Sequence, residues 1–168
     1  EVSSALAAQT DFVREHDLVD VPDLDVLVIE MPEIHRGVVV AYCDAPGPLE
    51  SGTVPTYVAV SPTHADWDEA RIASFYREYN AHLLHDLTAH EGVPGHVLQL
   101  SHSRRCRAPT RVRAAWWSGP FVEGWAVYAE GLVVAHGYEG EGGEQGRLAM
   151  ALQRNKMLLR VTINALLD

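Results

Sequence analysis

The sequence predicts an α+β fold in which a small antiparallel sheet precedes a mainly helical core. Three short runs rich in β-branched residues, at 26–29, 38–42 and 56–60, are each bounded by Pro, Gly or Asp, as strands are. Beyond about residue 66 the apolar residues change to helical spacing. At 168 residues without an evident linker, the chain reads as one domain, 1–168, large enough for a hydrophobic core. With 47% hydrophobic and 21% charged residues it has the balance of a soluble globular protein, so disorder is not expected to dominate.

Taken in order, residues 1 to 16 place Ala5, Leu6, Ala8, Phe12 and Val13 on a short helix. The three strand runs follow, the last two separated by the Pro- and Gly-rich stretch 44–52, which favours a wide loop over a tight hairpin. Asp66 is positioned to cap a helix that carries Ile72, Phe75, Tyr76 and Tyr79. A second helix takes Leu83, Leu84 and Leu87 into His90. Ser118 can cap another, with Pro120 tolerated in its first turn and Gly137 ending it in the left-handed conformation. From Glu144 the residues Leu148, Leu152, Leu159, Ile163 and Leu166 fall near one face of a last helix. It meets no Gly or Pro stop before Asp168, so the chain is expected to be a fragment of a longer protein.

A net charge of −10 repels phosphate backbones and anionic lipid, which argues against nucleic acid and membrane as partners. The local exception, Arg104, Arg105, Arg107, Arg111 and Arg113, is read as a solvated surface segment. Cys43 and Cys106 form no metal-binding or redox pattern and are read as reduced thiols. Nothing resembles a signal peptide or a membrane span, which favours the cytoplasm. Because the chain opens at Glu1 without Met, secretion stays open.

The stretch His90-Glu91-Gly92-Val93-Pro94-Gly95-His96 sets two imidazoles beside a carboxylate. A zinc hydrolase needs two neutral nitrogen ligands and a base to deprotonate metal-bound water. The histidines are six residues apart, and regular α-helix would turn them about 120° from each other. Pro94 lacks the N–H that would bond the His90 carbonyl and Gly95 has permissive dihedrals, so a bulge or wide turn is expected to swing His96 back. The alternative is that Pro94 and Gly95 simply end the helix and the two histidines are surface or internally bonded residues. Further on, Glu123 and Glu130 are seven apart, about 700° of helix and so nearly one face. One can complete a His-His-Glu site and the other can orient a ligand histidine.

These paired motifs, H-E-G-V-P-G-H and E-G-W-A-V-Y-A-E, with Leu98-Gln99 after the second histidine and a Pro-Thr-Tyr-Val strand before the site, resemble the bacterial family known as domain of unknown function 885. That family is similar in turn to the gluzincin zinc peptidases. The resemblance runs from about Val13 onward and, family members being longer and mostly helical, implies the catalytic portion of such a protein. It implies one zinc ion held by His90, His96 and Glu123, Glu91 as general base, and Glu130 behind a ligand histidine. Toward the C-terminus the chain departs from the family pattern: Arg160 is followed by Asn164 where an Asp- and His-containing segment is usual.

The expected activity is zinc-dependent hydrolysis of a peptide or small amide, with Tyr128 as a candidate to stabilise the oxyanion. By analogy with peptidases, the strand 56–60 could pair with an extended substrate. His82, His85 and His102 are read as polar-face helix residues, and Trp116, Trp117 and Trp125 as core packing before pocket lining. Other expectations remain open: a lyase, a hydrolase of non-peptide substrates, or a non-catalytic metal-binding module. The remainder of a longer parent chain is an expected partner.

Overall fold

A computed structural model of the chain describes residues 1–50, 54–106 and 110–167. Helix α1 (Val2–Glu15) leads into strands β1 (Val26–Glu30), β2 (Ala41–Asp44) and β3 (Thr56–Val60). Six helices follow: α2 (Glu69–Glu78), α3 (Ala81–Glu91), α4 (His96–Arg105), α5 (Arg111–Ala115), α6 (Gly119–Ala135) and α7 (Gly143–Leu167). The α+β class is as expected.

The sheet is mixed where an antiparallel one is expected. Its order is β1-β3-β2, with β1 parallel to β3 (Val28 opposite Val58) and β2 antiparallel to it (Cys43 opposite Val58). Parallel pairing needs a long crossover, and the 25 residues between β1 and β3, which include β2, supply it. The strand 56–60 is therefore central, and the free edge beside the helices belongs to β2. Strand β2 also starts at Ala41, not at 38, leaving Val38 81% exposed.

The helix starts follow capping chemistry. Asn80 Oδ1 accepts the backbone N–H groups of His82 and Leu83 to open α3, and Ser118 Oγ accepts that of Phe121 to open α6. For α2 the cap is Asp68, which accepts the N–H of Arg71 at 2.7 Å, and not Asp66, which lies in a turn two residues before the cap. Gly137, at φ +92°, ends α6 as expected. The N–H of Tyr138 reaches Val133 O and that of Gly137 reaches Val134 O, a Schellman closure.

The core gathers Val13, Val58, Ala89, Val93, Val97, Leu98, Val133, Tyr138 and Met150, so α1, the sheet, α3, α4, α6 and α7 all pack on it. The expected apolar face of α7 lies elsewhere. Leu148, Leu152, Leu159, Ile163 and Leu166 are 46 to 80% exposed, while Gly146 and Met150 face inward. Gly146 permits that approach, since a Cβ there would lie 1.9 Å from Glu141 O. Among the described residues no helix is long and apolar enough to cross a membrane. Cys43 and Cys106 are free thiols. Arg107 lies outside the described residues.

Candidate metal centre

The motif between α3 and α4 is a wide turn in the core. Helix α3 stops at Glu91 and α4 begins at His96, and the N–H of Val97 reaches back to Gly92 O across five residues. Residues 92–99 are all buried. The Val93–Pro94 peptide bond is cis. Glycine is required at 95, where a Cβ would stand 1.8 Å from His90 O and 2.3 Å from Ala89 O. Trp125 on α6 donates its indole N–H to Pro94 O at 2.8 Å, tying the turn to that helix.

The turn brings the two histidines together as its composition predicts, with perpendicular rings 4.8 Å apart. From α6, Glu123 Oε2 lies 3.5 Å from His90 Nε2 and 3.6 Å from His96 Nε2. One ligand atom from each of the three residues lies within 4.8 Å of the other two. Separations near 3.5 Å exceed those of hydrogen bonds. They are close to the edge of a tetrahedron with 2.0–2.1 Å bonds, about 3.3 Å. The donor set and its spacing therefore fit a zinc-type ion.

Seven residues along the same face of α6, the buried Glu130 accepts a hydrogen bond from His90 Nδ1 at 2.6 Å. This fixes the tautomer that leaves Nε2 bare toward Glu123. The sequence offers Glu123 and Glu130 as alternatives, and they take different positions: Glu123 stands beside Nε2 of both histidines and Glu130 stands behind His90 at Nδ1. Arg154 of α7 backs Glu130 in turn, its Nε 3.7 Å from Oε2. Asp86, one turn before His90, is buried with Oδ1 unpaired. Burial pushes its carboxyl up to about 8, with Glu130 adding and Arg154 and His90 opposing.

Burial pulls the His90 pKa down, but the bond to Glu130 and the charges of Glu91, Glu130 and Glu123 outweigh it and leave His90 above its ordinary range. His96 is held below its own by burial and by His90, against Glu123. The Glu91 carboxyl, ending α3 next to His90, is raised by burial and by Glu123 and Glu130. His90 and a hydrogen bond from the Cys43 backbone N–H oppose that rise.

Tyr128 is not brought to the cluster. Five residues from Glu123 it is turned about 140° around α6. It is 57% exposed and packs against Trp125 at 5.7 Å. His102 donates from Nε2 to Asp20 O. His85, expected on a polar face, is buried and bonded through Nδ1 to the Tyr138 hydroxyl. Trp116 and Trp117, expected in the core, are exposed and line a groove of about 730 Å³ with Arg104 and Arg113. Arg154 and Asp86 were missed: both lie on helices legible from the sequence, but only the packing of α7 and α3 on α6 joins them to Glu130.

The α+β chain thus sets a two-histidine turn against a helix that carries two carboxylates. The chain belongs to the bacterial family of proteins of unknown function designated domain of unknown function 885, whose model matches residues 1–163. It is similar to the solved structure of a candidate lipoprotein of unknown function from Shewanella oneidensis, with 30% identity and a TM-score of 0.69. That similarity covers 90% of this chain but 26% of the other, so this chain spans about a quarter of its neighbour's length. No curated protein matches it.

Proposed function

We propose that the chain carries a zinc-dependent hydrolytic centre acting on peptide or amide bonds. The observation that supports this best is the convergence of His90, His96 and Glu123 on one point with Glu91 beside them. His90 Nε2, His96 Nε2 and a Glu123 oxygen would hold the ion. A zinc ion in such a site polarises a carbonyl and acidifies water. Glu130 holds His90 in the liganding tautomer. Glu91 accepts a proton from the attacking water as the carbon–oxygen bond forms. It then delivers that proton to the leaving nitrogen as the carbon–nitrogen bond breaks. A three-residue ligand set leaves a position open for substrate, unlike a closed structural site.

The test is a zinc titration paired with Glu91→Gln. One equivalent of zinc should bind both proteins, and hydrolysis of a peptide library should fall about 10²-fold or more in the variant. If zinc binds tightly but peptides, small amides and esters all survive, the centre is not hydrolytic. If no zinc binds, the reading fails at its first step.

A further inference from the structure

One face of α3 does two jobs. Leu84, Leu87, Thr88 and Glu91 follow the i, i+3, i+4, i+7 spacing of a single helical stripe. All four line a cavity of about 180 Å³ whose other walls include Val58 of β3, Phe75 of α2 and Tyr79 just past the end of α2. The wall of this cavity thus runs along α3 into the residue beside His90. An apolar cavity of about 150 Å³ is enough to hold benzene, so this one has room for a phenyl or branched aliphatic group.

The chemistry of the wall restricts the guest. Thr88 Oγ1 is already donated to Leu84 O at 2.7 Å, and Ser61 Oγ to Pro62 O at 3.2 Å. Apart from Glu91 the lining carries no charged side chain. An acidic guest would face that carboxylate, and a basic one would pair with it and occupy the base. An uncharged apolar side chain meets neither obstacle and removes its own surface from water.

We propose that this cavity is the specificity pocket of the hydrolytic centre and receives one apolar side chain, aromatic or branched aliphatic, from the substrate residue flanking the scissile bond. The inference rests on the hydrolase reading, but pocket occupancy can be measured without turnover. In the zinc-free chain, N-acetyl-phenylalaninamide should shift the methyl resonances of Val58, Leu84 and Leu87, with at least about tenfold tighter binding than N-acetyl-alaninamide. Filling the cavity with Leu87→Trp, or from its rim with Ser61→Phe should the first variant not fold, should abolish those shifts. With zinc present, kcat/KM for blocked peptides should favour Phe or Leu over Ala and Asp at one flanking position by about tenfold or more, and the filling variant should erase the preference. Absence of the methyl shifts, or shifts that persist in a folded filling variant, overturns the pocket. Zinc binding with cleavage indifferent to that side chain overturns the pocket alone. Probe binding without zinc uptake or turnover overturns the hydrolase reading and leaves a binding site for apolar side chains.

Discussion

The Nδ1 atom of His90 lies 2.6 Å from Oε1 of Glu130, a carboxylate 40 residues away and buried between α6 and its neighbours. The pair fixes the ring so that Nε2 faces Glu123. Removing the carboxylate frees the ring to rotate and lowers the basicity of the liganding nitrogen. Glu130→Ala should therefore weaken zinc binding by about 10- to 100-fold, read by competition with a chromogenic chelator. Unchanged affinity would mean that Glu130 serves the fold only.

Glu123 differs in kind. It is 60% exposed on its side chain and contributes to the cluster without supporting a neighbour. Glu123→Ala should abolish stoichiometric zinc uptake while leaving the thermal midpoint of the zinc-free protein within about 1 °C, as surface substitutions usually cost under ~0.5 kcal/mol. A large fall in that midpoint would show that the carboxylate holds the structure together and is not simply a ligand.

Two glycines separate the roles of the turn and of the helix facing it. At Gly95 a Cβ would overlap backbone carbonyls that have no room to retreat, so Gly95→Ala should cost ~3 kcal/mol or more and disperse the histidines. At Gly124, next to Glu123 on α6, nothing lies within 4 Å of the added carbon. Gly124→Ala should stabilise α6 by roughly 0.5–1 kcal/mol and leave zinc affinity intact. Denaturant melts of the two variants check both signs.

Much of the centre is legible in the sequence because its determinants are local. The Pro94-Gly95 interruption forecasts the wide turn, and the spacing of Glu123 and Glu130 forecasts a shared helix face. What the sequence hides is long-range. Nothing in the run 26–29 says that it will lie parallel to 56–60, since β propensity is indifferent to direction. The apolar stripe of α7 announces a helix correctly, yet Leu148 and Leu152 face outward while Met150 packs inward. Periodicity identifies a stripe without saying what covers it. The ion pair of Arg154 and Glu130 depends on that same packing. Tyr128 lies five positions from Glu123, so its offset of about 140° around α6 is readable from helical phase alone.

The two cysteines should differ sharply in reactivity. Burial, with Glu91 and Asp44 adding, pushes the Cys43 thiol up to about 12, so at pH 8 only about 10⁻⁴ of it is the nucleophilic thiolate. Cys106 is exposed at the end of α4. Iodoacetamide at pH 8 should label Cys106 within minutes and Cys43 far more slowly, with denaturation removing the difference, as peptide mapping would show. Equal labelling would show that its surroundings do not hold the Cys43 thiol protonated.

Burial of His85 couples stability to pH. Gln9 donates to its backbone carbonyl at 2.6 Å, and its Nδ1 is bonded to the Tyr138 hydroxyl at 2.9 Å. Burial holds its pKa below the ordinary 6.5, opposed by Glu141 and aided by His82. The folded state therefore binds fewer protons than the unfolded state between the lowered pKa and 6.5, and stability rises with pH across that window. Above 6.5 the group contributes no pH dependence, and below it the unfolded chain gains the proton that the folded one resists. Asp86, raised to about 8, acts with the opposite sign, its folded form binding the extra proton between 3.8 and 8, so a raw pH profile mixes the two. Comparing the wild type with His85→Gln isolates the histidine: the difference in denaturation midpoint should be flat from pH 7 to 8 and shift in favour of the variant as pH falls below 6.5. A difference constant down to pH 5 would show that His85 takes up its proton as easily in the folded chain as in the unfolded one.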